Sequence, residues 1–286
     1  MSWRIRLAAF VAAAASFLSL STQAQILYAA TGTAGTPGVL YQVAPATGQT
    51  SPVGPILVGG LPIAITGLAV NPQTGVLYGV TANASPNLAQ HLVSISTLSG
   101  VATDIGALGT GLADIAFGLD GILYGVSGNN ANLWRINLST GVATIVGTTG
   151  FTSSGGAFAI NPVGVAVTNG NGASGTLDSI NLQTGARTAG PVLSGAPQPG
   201  NNLNSASFNS AGQLFAVNGN GAPSNLVTIN VATGVVTDVG LLPDFIDALA
   251  FATPMSAVPT MSEWAMIVMA LLLLATGWWV NRKRLR

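Results

Sequence analysis

The chain contains no cysteine in 286 residues, so neither a disulfide framework nor a thiolate metal site can form, and no cysteine near the start can carry a lipoprotein lipid. Histidine is reduced to His91 alone, too few for an imidazole metal centre. Charge is scarce as well: ionisable residues make up 6 % of the chain, where about a quarter is usual. Between Gln25 and Val258 there is no lysine, and Arg135 and Arg187 face seven aspartates, which leaves this stretch at minus five. Nucleic-acid binding needs a cationic footprint to offset phosphate charge, and that class is excluded. What the chain has instead is 37 Gly, 15 Pro and 49 % apolar residues, enough for a core and for many turns.

The basic residues collect at the two ends. Arg4 and Arg6 precede an apolar run over residues 7–20, followed by Thr22, Gln23 and Ala24. A basic start, a short apolar stretch and a small-x-Ala site predict a secretory signal peptide over residues 1–24, cleaved between Ala24 and Gln25. At the other end an apolar run over residues 265–280 is flanked by Trp264, Trp278 and Trp279 and followed by Arg282, Lys283, Arg284 and Arg286. That pattern predicts a C-terminal transmembrane helix near the lower limit of length, with aromatic residues at the interfaces and a basic tail on the cytoplasmic side before processing. The body then lies outside the cytoplasm, in the cell envelope or at the surface.

Just before the apolar run stand Val258, Pro259, Thr260, Met261, Trp264 and Ala265. This segment resembles the IPTL-CTERM sorting signals of Gram-negative bacteria, in which Ile-Pro-Thr-Leu is followed after two residues by Trp-Gly, an apolar helix and a basic tail. Val258, Met261 and Ala265 replace the Ile, Leu and Gly of that pattern. The resemblance implies an exosortase-type membrane enzyme as processing partner. The physics of the segment is equally that of a plain membrane anchor.

Between the ends a unit recurs at a period of about 41 to 52 residues, in or near the range of propeller blades. Each unit opens with a strand rich in small residues, at 66–70, 113–117, 157–160 and 205–208, then a tight turn ending in Gly75, Gly121, Gly164 or Gly212. Second strands are predicted at 76–80, 122–126, 165–167 and 213–217, and third strands at 92–95, 133–136, 177–180 and 226–229. Polar-Gly turns at 99–100, 140–141, 184–185 and 233–234 lead into fourth strands that reach Gly106, Gly147, Gly190 and Gly240. Alternating apolar residues with Gly at the turns are what short antiparallel strands require.

The two end copies are incomplete in complementary ways. Residues 26–28, 39–43 and 50–53 supply second to fourth strands with no first strand before them, and residues 247–251 supply a lone first strand. The expected fold is therefore all-β, a five-bladed propeller over residues 25–252 closed by pairing of its N- and C-terminal strands. A linker over 253–257 leads to the sorting signal over 258–286.

Candidate chemistry in the body is sparse. His91 reads as a solvated loop residue. Asp120 fits an Asp-Gly turn, and Asp104 and Asp238 share one repeat position, which suggests architecture. Asp114, Asp244 and Asp247 lie near the starts of first strands, which line a propeller's central channel, and are the candidates for a channel cation site. The runs at 128–130 and 169–172 lack the Gly-Lys-Ser/Thr ending of a phosphate loop. Trp134, the body's one tryptophan, falls within a strand rather than on a loop that would present it to a sugar.

No catalytic, cofactor or metal residue is assigned. The sequence favours a non-enzymatic surface protein displaying its propeller for structural roles or for contact with an extracellular carbohydrate or protein. The alternatives are an enzyme of polysaccharide-lyase or lactonase type on the same scaffold, with a cation at the channel top, and a secreted matrix protein. Strand direction predicts that the short Gly-ended turns face the membrane and the long Asn/Gly-rich loops point away, where a ligand would bind.

Overall fold

The computed structural model describes residues 25–127, 131–150, 155–170, 175–195, 203–219 and 223–252, together with 267, 269–271, 273, 274 and 278. The predicted signal peptide and most of the predicted C-terminal span lie outside the described residues. Among the described residues no helix is long and apolar enough to cross a membrane. The few described residues between Ile267 and Trp278 are helical and exposed.

The body is all-β, and its sheets form five blades. The first blade pairs Ile246–Ala252 with Ile26–Thr31, followed outward by Val39–Val43 and Thr50–Pro55. Its innermost strand therefore comes from the far end of the body, with Leu27 opposite Phe251 and Ala29 opposite Leu249. The second blade runs Ile65–Val70, Leu77–Thr81, His91–Ile95, Val101–Ala107. The third runs Leu112–Phe117, Leu123–Ser127, Asn132–Ile136, Ala143–Thr148. Gly155–Ile160, Ala166–Gly170, Asp178–Ile180 and Arg187–Thr188 make the fourth, and Leu203–Phe208, Leu214–Asn218, Ser224–Ile229 and Val235–Leu242 the fifth. Each innermost strand packs against the innermost strands of both neighbouring blades, the fifth against the first included.

Two features were absent from the sequence reading. A small hairpin, Leu57–Val58 and Leu61–Pro62, adds to the outer edge of the second blade, and Ser194–Gly195 adds in parallel to the outer edge of the fifth. Both come from the connections between blades. They cover backbone groups that an outer strand would otherwise leave unpaired.

The core lies in the seams. Five separate apolar clusters each join one pair of adjacent blades, for example Leu40 with Leu68 and Val93, Leu92 with Leu123, Tyr124 with Phe158, Val167 with Val227, and Leu27 with Phe215. Each blade buries side chains on both faces, which is why second strands such as Leu123–Ser127 and Leu214–Asn218 are buried at every position rather than at alternate ones. Burying each large apolar side chain contributes about 1.5 to 3 kcal/mol.

The innermost strands instead carry small residues where five of them converge. Gly67 and Ala69, Ala157 and Ala159, Ser205 and Ser207, and Ala248 and Ala250 occupy matching positions.

Glycine sets how closely the blades approach. In the outer strands Gly54, Gly106, Gly147 and Gly240 each lie opposite a leucine, beside a β-bulge, in Leu40, Leu92, Leu133 and Leu226 respectively. At each of these glycines the polar-Gly turn of a neighbouring blade lies against the backbone. A Cβ on Gly147, for instance, would fall inside the van der Waals envelope of the Thr184 carbonyl oxygen. The glycine pattern legible in the sequence is thus the seam itself.

Candidate functional site

An innermost strand has a neighbour on one edge only, so its inward N–H groups face the central channel without a strand to accept them. Leaving such groups buried and unpaired costs about 1 to 3 kcal/mol each. The channel solves this with three side chains. Asp114 is fully buried, and its Oδ2 accepts the N–H of Phe158 at 2.9 Å and of Ala206 at 3.0 Å, while Oδ1 accepts the N–H of Ile115 at 3.0 Å. One carboxyl thus ties together the third, fourth and fifth blades. Ser205 Oγ accepts the Leu249 N–H at 2.9 Å, and Ser207 Oγ the Phe251 N–H at 3.0 Å, which ties the fifth blade to the first. Between the second and third blades the Thr66 hydroxyl donates to the Leu112 carbonyl at 3.0 Å.

Burial pushes the Asp114 carboxyl well above the ordinary carboxylate range, and the backbone N–H donors and Ser205 act against that shift. Asp247, nearer the long-loop mouth, is pushed up to about 7, again by desolvation, with hydrogen bonds to Thr33 and Asn204 opposing. Asp244 is exposed. The three channel candidates are therefore not one cluster, and among the described residues no group of three or more His, Asp or Glu side chains could hold a metal ion.

The other candidates have structural partners. His91 does not sit in a loop: it opens the strand His91–Ile95, and its Nδ1 lies 2.8 Å from Asp104 Oδ1 across the sheet. The matching position in the fifth blade pairs Asn225 Nδ2 with Asp238 Oδ1 at 3.2 Å, so the shared repeat position of the two aspartates marks one cross-strand contact. Asp120 accepts the Tyr124 hydroxyl at 2.9 Å and the Ile122 N–H at 3.0 Å. The buried Asp178 holds Arg187 Nη1 at 2.9 Å and the Gly190 N–H at 2.9 Å. Arg135 lies over the Tyr124 ring at 5.8 Å. Trp134 packs into the seam between the second and third blades and offers no exposed platform.

Below Asp114 the channel widens into a well of about 280 Å³ that opens on the short-turn face, the face opposite the long loops. Sequence reasoning placed ligand contact on the long-loop face and missed this well.

Of the predicted processing and sorting residues, Gln25 is described: its Oε1 accepts the Ser210 N–H at 2.7 Å. Ala24, Val258, Pro259, Thr260, Met261, Trp264 and Ala265 lie outside the described residues.

Residues 256–286 match the IPTL-CTERM motif, starting two residues before Val258. The chain carries an IPTL-CTERM sorting signal. This signal implies sorting to the cell envelope or surface and processing by an exosortase-type enzyme in general. No curated protein matches the sequence. Among solved structures, a chain of a nidogen/laminin complex is similar over 80 % of this chain and 98 % of its own, with 12 % identity and a TM-score of 0.52. A protein of unknown function from Bacteroides thetaiotaomicron is similar over 65 % of this chain and 52 % of its own, with 14 % identity and a TM-score of 0.49. At such identities the first likeness speaks to the fold alone, and the second carries no argument.

Proposed function

We propose that the protein is an exported, envelope-sorted, non-enzymatic surface protein whose propeller is a rigid display scaffold. The observation that carries this reading is the position of the chain's exit from the body. Ile246–Ala252 is an innermost strand running from the long-loop face to the short-turn face, and only residues 253–255 separate it from the IPTL-CTERM match. The span itself is expected from residue 265, so residues 253–264 form the tether, and because it leaves from the short-turn face it favours that face toward the membrane and the long loops outward. The way the body uses its carboxylates supports a scaffold over an enzyme: Asp104, Asp114, Asp120, Asp178 and Asp238 each hold another part of the fold.

The reading includes removal of residues 1–24 and anchoring through residues 265–280 until the sorting enzyme acts. Mass spectrometry of the mature termini from fractionated envelopes tests it, in a host that has the sorting enzyme. Wild type should begin at Gln25, and the Pro259→Ala, Thr260→Ala double variant should differ from it in C-terminal mass or envelope fraction. A chain beginning at Met1 in the envelope would refute export with cleavage. Identical mass and location for the double variant would reduce the C-terminal signal to a plain anchor.

A further inference from the structure

The short-turn face carries almost no charge. Its turns are residues 44–48, 71–75, 96–100, 118–121, 137–141, 161–164, 181–185, 209–212 and 230–234, and Asp120 is their one ionisable residue. Its carboxylate is already engaged by Tyr124 and Ile122. Leu98, Leu119 and Val163 project from the same turns and are 92 %, 66 % and 77 % exposed. Large exposed apolar side chains on a face with so little charge mark an interaction surface, and against a bilayer such a face has one carboxylate, Asp120, to desolvate.

The well opens at the centre of this face. Ala69, Ala116, Ala159 and Ala250 line it, with Phe117 and Phe251 lower down and Leu119 at its rim. The two rings are fixed by edge-to-face contacts, Phe117 with Tyr78 at 5.7 Å and Phe251 with Phe215 at 5.1 Å, so the walls are preformed. Ser207 completes the ring of small residues, and Asn161, Asn209 and Ser210 add polar groups toward the mouth. Asp114 lies further along the channel, tied to the Phe158 and Ala206 N–H groups. The result is a recess whose walls are largely apolar. A cavity of roughly 150 Å³ with apolar walls stays dry and takes up benzene, and this one, at about 280 Å³, has room for the end of an aliphatic chain.

We propose that this well holds the end of a lipid acyl chain drawn from the membrane to which the protein is anchored. The inference rests on the anchored orientation given above. Moving methylenes from a bilayer into an apolar well exchanges one hydrocarbon environment for another, so the chain loses little by entering, and the well's own apolar surface leaves water. Lipid rather than a soluble apolar ligand is favoured because the well opens where Ala252 ends, on the face carried toward the membrane.

The test uses the full-length protein inserted into phosphatidylcholine vesicles that contain a phosphatidylcholine with a diazirine at the terminal carbon of one chain. After flotation and irradiation, adducts are mapped by mass spectrometry. The chain terminus normally sits at the bilayer centre, so labelling of the body reports only a chain withdrawn into it. Adducts are expected in peptides containing Ala116 to Leu119 and Ala159 to Val163. Ala159→Leu, which narrows the well, and Leu119→Asn, a rim change on an exposed side chain, should each lower that labelling at least fivefold while flotation and labelling of residues 267–278 stay unchanged. Flotation with adducts confined to the C-terminal segment would overturn the well proposal and leave anchoring intact. A well filled by the chain's own residues 253–257 or by a second copy would give this same outcome. Failure to float would overturn anchoring and the well together.

Discussion

The Asp114 carboxylate accepts the Ala206 N–H at 3.0 Å across a sequence separation of 92 residues, and with the same oxygen the Phe158 N–H, 44 residues away. These separations span about two repeats and one, so one side chain reports on the relative placement of three blades. Replacing it by Ala would leave three buried N–H groups without their acceptor. Asp114→Ala should lower unfolding stability by about 3 kcal/mol or more, from about 1 to 3 kcal/mol per orphaned donor less what relaxation recovers. Asp114→Asn keeps one carbonyl acceptor and should lose roughly half as much. Urea unfolding followed by far-UV circular dichroism would check both, and an Ala variant as stable as wild type would remove Asp114 from the account of blade assembly.

Asp247 gives a pH dependence with a definite sign. Its folded pKa is raised to about 7 by desolvation, above the ordinary value of 3.8 that applies when unfolded. Between these values the folded state holds the proton more tightly than the unfolded state, so stability falls as pH rises through that window. Asp114 acts in the same direction. Relative to wild type, Asp247→Asn should gain stability on going from pH 4 to pH 8. Thermal melts at the two pH values measure this, and parallel changes in both proteins would contradict it.

The seam glycines predict a destabilisation that an exposed turn glycine does not share in full. Gly147→Ala places a methyl group against the Thr184 carbonyl and should cost about 1 to 3 kcal/mol through overpacking between blades. Gly150 has open space around it but a φ of +74°, so Gly150→Ala should cost about 1 kcal/mol of backbone strain alone. Chemical denaturation of the two variants separates the effects. Equal losses would mean that the seam can open enough to admit a side chain.

Much of the architecture was legible in the sequence because it is local. A turn that needs Gly121 at φ +76°, or strands that alternate over five residues, carry their signal within one repeat. The incomplete end copies were legible for the same reason: residues 247–251 look like a first strand wherever they stand. What was hidden depends on contacts between repeats. Asp114 occupies a position held elsewhere by Gly67, Ala157, Ser205 and Ala248, and that single acid among small residues was the available signal for a channel clamp. His91 read as a loop residue because Asn, Pro and Ala precede it, and only the opposite strand supplies Asp104. The hairpin over 57–62 has too few residues to register a pattern. The well is formed by alanines from different blades, each unremarkable in its own repeat.

The central claim is that the short-turn face is held against the membrane while the long loops point outward. Because the chain has no cysteine, single Cys residues can be placed at Ala89, exposed in a long loop, and at Ser139, exposed in a short turn. Membrane-anchored full-length protein would then be treated with a bulky impermeant maleimide, with the detergent-solubilised protein as the reference for each site. The account predicts labelling at position 89 equal to its reference and labelling at position 139 several-fold below its own. Preferential labelling at 139, or equal access at both positions, would contradict it.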